Sequence, residues 1–241
     1  MHGAFGAGVL GPREESVEVV AVRWERTLEL LAAHLPAAGS GTETDGVWTW
    51  QQIHTSGPAT ELRPDGASLQ NALRVRKEAD DWSDLTGFGL GLVVKGEPGW
   101  EIDISGWAGG NPDFLLQAML IDISSPDEAE IPDAELLTAL ADVWDPDFGG
   151  VVDDDVLDAL EDDAGFVVGE PSVGWIGYLS PGRAALVPGD LKAARRELRD
   201  GGVVLEIASR GDTEAVVQSY MRLRDAGALE PLPRPMDRPR F

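Results

Sequence analysis

Apolar residues recur at helical spacing near the start of the chain. Val17, Val20, Ala21, Trp24, Leu28, Leu31 and Leu35 follow one another at intervals that line one stripe of a helix. Pro12 with Arg13, Glu14 and Glu15 opens this helix, and Pro36 ends it just after His34. Residues 47–53 read as a short strand, 58–66 as loop and 67–79 as a second helix. The period then changes to two. Residues 88–94 alternate glycine with apolar side chains. Residues 100–107 place Trp100, Ile102 and Ile104 on one side and Glu101, Asp103 and Ser105 on the other. Residues 114–123 form a third strand of this set. Further along, 133–144 predicts a helix with Asp133 as its N-cap, and 153–162 a shorter one. Residues 173–179 and 203–208 read as strands, 190–199 and 213–226 as helices, the last capped by Gly227.

Consecutive strands with tight links, and helices before and after them, predict an α+β fold. The expected architecture is a single domain with a largely antiparallel sheet flanked by helices. It covers residues 1–230, and the proline-rich stretch 231–241 reads as an irregular tail. A chain of 241 residues can bury a core without a covalent or metal staple. The absence of cysteine excludes disulfides, thiolate catalysis and cysteine-ligated metals. The first residues lack the basic start and long apolar run of a signal peptide, and no apolar run reaches membrane-spanning length, so a cytoplasmic location is expected.

Charge changes the picture more than composition does. The net charge is −24, and it is unevenly spread. Residues 1–95 hold 13 acids and 8 bases, and residues 183–241 hold 9 acids and 11 bases. Residues 96–182 hold 21 acids and no Lys or Arg. Such a surface repels nucleic acid and anionic membranes, so neither is an expected partner, and it favours a basic protein.

Motifs for catalysis are incomplete. Gly6, Gly8 and Gly11 match a dinucleotide fingerprint in spacing, but the buried strand that must precede it does not fit before Gly6; the segment reads as a flexible or edge-strand N-terminus. A calcium loop aligned from Asp145 puts Gly150 and Asp153 in suitable places. It fails at Gly149 and at Val156, where a bidentate Glu is required. This stretch reads instead as a helix end, a turn and the acidic first turn of the next helix. His2, His34 and His54 have no partner at metal-ligand spacing, and no serine-nucleophile motif is present. No catalytic residue, cofactor or metal is therefore assigned. The tryptophans, including the Trp48 and Trp50 pair, read as core.

Several segments together resemble the immunity protein 52 family of bacterial polymorphic toxin systems. They are Gly11-Pro12-Arg13-Glu14-Glu15-Ser16, Phe88-Gly89-Leu90-Gly91-Leu92 and Val143-Trp144-Asp145-Pro146-Asp147-Phe148-Gly149. They continue with Val173-Gly174-Trp175-Ile176-Gly177-Tyr178-Leu179-Ser180 and Gly201-Gly202-Val203-Val204-Leu205. The resemblance covers about residues 9–230; 40–66 is unmatched, and the acids at 153–163 are particular to this chain. It implies a non-catalytic α+β domain that binds and neutralises a cognate toxin carrying a restriction-endonuclease-fold nuclease. A nuclease presents a basic cleft, to which dense carboxylate is complementary. The toxin-facing candidates are then Asp142, Asp145, Asp147, Asp153, Asp154, Asp155, Asp158, Glu161, Asp162 and Asp163. Trp144, Gly174, Trp175 and Tyr178 are expected to support the fold. A metal-dependent carboxylate-site hydrolase and a general acidic interaction module are the competing readings.

Overall fold

Ten strands join into one sheet in the computed structural model, which describes residues 2–35, 49–79, 84–96, 100–113, 117–125 and 129–241. In chain order the elements are β1 (His2–Leu10), α1 (Val17–His34), β2 (Trp50–Gln52), β3 (Thr60–Leu62) and α2 (Gly66–Ala79). Next come β4 (Phe88–Gly96), β5 (Trp100–Ala108), β6 (Gln117–Ser124), α3 (Asp133–Trp144), β7 (Phe148–Val152) and α4 (Asp154–Ala164). The chain closes with β8 (Ile176–Leu179), α5 (Pro181–Ala184), β9 (Ala194–Glu197), β10 (Val203–Glu206) and α6 (Thr213–Asp225). The strand order is β3-β2-β4-β5-β6-β1-β7-β8-β10-β9, and every pairing is antiparallel. The α+β class with a flanked antiparallel sheet is as the sequence predicts.

Burial shows how the layers lie. Along β5 and β6 buried and exposed positions alternate, which is the mark of a strand covered on one face only. All four positions of β8 are buried, so both of its faces are covered. Helix α1 packs on α2 and α3, and α3 reaches β8, β1 and β7. Helix α4 packs on α6, with Phe166 and Tyr220 meeting edge to face between them. The sheet therefore passes from a two-sided core at β8 to an open face at β5 and β6.

Several expectations are corrected. Helix α1 begins at Val17 rather than at Pro12, because residues 13 and 15 donate their backbone N–H groups to the carbonyls of Gly110 and Gly109 and stay extended. The loop at 58–66 contains β3, which pairs with β2. The stretch 190–199 is not a helix; it contains β9, held to β10 from Ala194 to Glu197. Asp133 does not cap α3; Pro132 occupies that position, and the Asp133 carboxylate is committed to Trp175 and Arg210. Nothing in the sequence announces β7, whose Gly149 and Gly150 disguise a strand. The glycine-rich N-terminal strand is neither free nor at an edge: β1 sits between β6 and β7, with a bulge at Gly8. Trp48, Trp82 and residues 114–116 lie outside the described residues.

The tail at 231–241 is irregular but packed down. Leu232 and Met236 are buried, the N–H of Met236 donates to the carbonyl of Asp113 at 2.7 Å, and that of Gly11 to the carbonyl of Pro239 at 3.0 Å.

Candidate functional site

The acidic candidates do not share one setting. Asp147 is fully buried: its Oδ2 accepts from Arg183 at 2.7 Å, and its Oδ1 accepts from the Ser180 hydroxyl at 3.1 Å and the Phe241 N–H at 2.7 Å. It presents nothing to a partner, and its expected place on an exposed surface is corrected. Asp145 ends α3 in the left-handed region at φ 50°, which aspartate tolerates, and pairs with Arg13 at 2.9 Å and with Arg240. Asp145 and Asp147 are thus occupied by arginines, and the residues after them enter β7, so the segment does not form a calcium loop.

Asp153 is a helix cap: its Oδ1 accepts from the N–H of Val156 at 2.9 Å. Asp142 is exposed on α3, in a hollow it shares with Arg23 and Arg26. The other six form the outward face of α4. That helix buries Val156, Leu160 and Ala164 and exposes Asp154, Asp155, Asp158, Glu161, Asp162 and Asp163. Among the described residues no Lys or Arg forms an ion pair with these six. Arg224 of α6 instead donates to the carbonyl of Ala164 at 2.6 Å, a cation placed on the helix C-terminus, where α4 itself supplies none.

The four motif residues are all buried. Trp144 donates its indole N–H to the Thr27 hydroxyl at 2.8 Å and meets Trp24 edge to face at 6.0 Å. Trp175 donates to Asp133 at 2.8 Å, and Arg210, itself paired to Asp133, lies 4.9 Å above its ring. The Tyr178 hydroxyl donates to Asp200 at 3.3 Å; burial, then Asp200 and Asp145, push its pKa far above the ordinary phenol value. Gly174 is needed for close approach: a Cβ there would lie 1.6 Å from the carbonyl oxygen of Val151, which accepts from the N–H of Trp175.

A groove of about 610 Å³ opens beside α4, over the uncovered face of the sheet. Its floor carries Asp103 and Ser105 of β5 and Leu120 and Asp122 of β6. Toward β1 and β7 the lining includes Gly8, Gly149 and Gly150 together with Val9, Phe148 and Val152. Leu157 of α4 forms one wall with Val168 and Glu170 of the following loop. Leu120 and Val168 are exposed apolar residues, at 56% and 79% accessibility. Asp103 stands directly opposite Asp122 in the β5–β6 register. Partial burial, then Asp122 and Glu101, raise the Asp103 pKa above the ordinary carboxylate value. The alternation at 100–107 placed Asp103 on the polar side of its strand; the pairing with Asp122 depends on register, which no single strand contains.

No family model, no curated protein and no solved structure matches this chain. Among the described residues no group of three or more histidines and carboxylates is placed to hold a metal ion, and no helix is long and apolar enough to cross a membrane.

Proposed function

We propose that this protein is a non-catalytic immunity protein that binds and neutralises a basic toxin domain, a nuclease of the restriction-endonuclease fold. The observation that carries the reading is the face of α4, where six carboxylates stand in solvent with no basic ion-pair partner among the described residues. Carboxylates in that setting repel one another along the helix, and an external cationic surface relieves the repulsion. The motif resemblance at 143–149 and 173–180 supports the same reading, and a cytoplasmic location goes with it. Electrostatic steering of a basic cleft toward α4 would speed association and would weaken as salt rises.

The test is co-expression. The toxin domain encoded beside this protein is expressed with and without it, and growth and co-purification are scored. Restored growth with a stable complex is the expected result. Toxicity that persists in the presence of soluble protein contradicts it.

One observation favours a second reading, carboxylate-based hydrolysis: the Asp103–Asp122 pair lies in a groove, with one pKa raised. It predicts a divalent-cation-dependent rise in thermal stability that Asp103→Asn abolishes.

A further inference from the structure

Like charges directly opposite across two strands destabilise a sheet, yet Asp103 and Asp122 occupy such a pair on the open face. The groove around them is not merely acidic. Leu120 on its floor and Leu157 and Val168 on its wall are apolar, and among its described lining residues there is no Lys or Arg. Glu170 adds a third carboxylate at the wall. Its volume of about 610 Å³ falls within the ~300–1,000 Å³ typical of ligand clefts.

Charge selects the occupant. A second copy would bring its own net charge of −24 against these carboxylates, and nucleic acid would bring phosphates. A cationic side chain on an apolar segment of a partner protein satisfies both features at once. The groove also adjoins α4: Leu157 is on that helix, with Asp154 and Glu161 one turn away on either side of it. Asp154 and Glu161 thus stand beside the groove wall.

Resting on the reading of this protein as a binder of a basic toxin, we infer that the groove over β5, β6, β1 and β7 is the partner's seat, and that it receives an arginine or lysine flanked by apolar residues. Asp103 and Asp122 accept the cationic head, while Leu120, Leu157 and Val168 cover the neighbouring aliphatic groups. The α4 acids steer the approach and the groove sets the register of the complex.

The test uses the full chain labelled with ¹⁵N and two synthetic tripeptides, N-acetyl-Val-Arg-Val-amide and its Glu counterpart. The Arg peptide is expected to give saturable amide shifts at residues 103–105, 120–122, 157 and 168. Replacing both aspartates, Asp103→Asn with Asp122→Asn, is expected to weaken binding about tenfold or more, and to leave the spectrum well dispersed because it removes a repulsion. Asp154→Asn with Asp158→Asn should weaken it less than about threefold, as exposed charges do. Equal shifts with the Glu peptide, shifts confined to 154–163, or no saturable shift up to about 20 mM would each overturn the inference. The peptide comparison on the unaltered chain stands whether or not the variants fold. Growth rescue without peptide binding discards the groove and keeps the immunity reading; peptide binding without rescue discards immunity and keeps the groove.

Discussion

Asp147 Oδ2 lies 2.7 Å from Arg183 Nη2, and both side chains are sealed from solvent. Arg183 also donates to the carbonyl of Ala228 at 2.8 Å and stacks on Phe148 and Phe241. The pair therefore joins the α3–β7 junction to α5, to the end of α6 and to the C-terminal tail. Removing one partner leaves an uncompensated buried charge, which costs about 3–5 kcal/mol. Asp147→Ala and Arg183→Ala should each lower unfolding stability by that order in urea titrations. The double variant Asp147→Ala with Arg183→Ala should lose less than the sum of the two single changes. Additive losses would show that the two side chains act independently.

The tail is part of this arrangement. Phe241 donates its N–H to Asp147 at 2.7 Å and lies 4.8 Å from the Arg183 guanidinium. Removing residues 231–241 deletes that bond and uncovers the sites of Leu232 and Met236. A loss of at least about 3 kcal/mol is expected, from one hydrogen bond to a charged group and two apolar side chains. Calorimetry of the shortened chain checks it; an unchanged Tm would show that the tail contributes nothing to the body.

Gly174→Ala should be among the most damaging single substitutions. Its Cβ would meet backbone atoms of Val151, which do not move as a flexible side chain does. A loss above about 3 kcal/mol is expected, against about 1 kcal/mol for Gly165→Ala, where a Cβ meets open space and only the positive φ is unfavourable. Equal losses at the two sites would contradict the close approach of residue 174 to β7.

Much of this arrangement could be read from the sequence, and the rest could not for definable reasons. The stripe from Val17 to Leu31 and the alternation from Trp100 to Ser105 describe single elements, and both appear as expected. Asp147 and Asp158 look alike in the sequence, but one is buried against an arginine 36 positions away and the other stands in solvent. Only long-range contact distinguishes them. Strand β7 is hidden because glycine weakens every strand signal, and its place is set by β1 and β8 on either side. Strand β9 carries consecutive charges and pairs only at the sheet edge, so its pattern resembled a helix. The groove depends on strand register, which is a property of several strands together.

The Asp103–Asp122 pair sets a pH dependence with a definite sign. The folded-state pKa of Asp103 is raised, first by burial and then by Asp122 and Glu101. A raised carboxylate pKa means that the folded state holds its proton more tightly, so this group's contribution to stability falls as pH rises through the carboxylate range. Asp103→Asn should therefore raise Tm at neutral pH, and the gain should vanish below the carboxylate range. Because the side chain is largely exposed, solvent screening limits the gain to below about 1 kcal/mol. Calorimetry at several pH values checks both sign and window; a gain that persists in acid would contradict the repulsion.

Under the proposed function, the acidic face of α4 draws in a basic partner. Its most direct test is the association rate with the neighbouring toxin domain across a salt series, for the native chain and for Asp158→Lys, Glu161→Lys and Asp162→Lys combined. These changes leave the Asp153 cap and the first turn of α4 intact. The variant's on-rate is expected to be at least about tenfold slower at low salt, with a flattened salt dependence. On-rates and salt slopes equal to those of the native chain would contradict it.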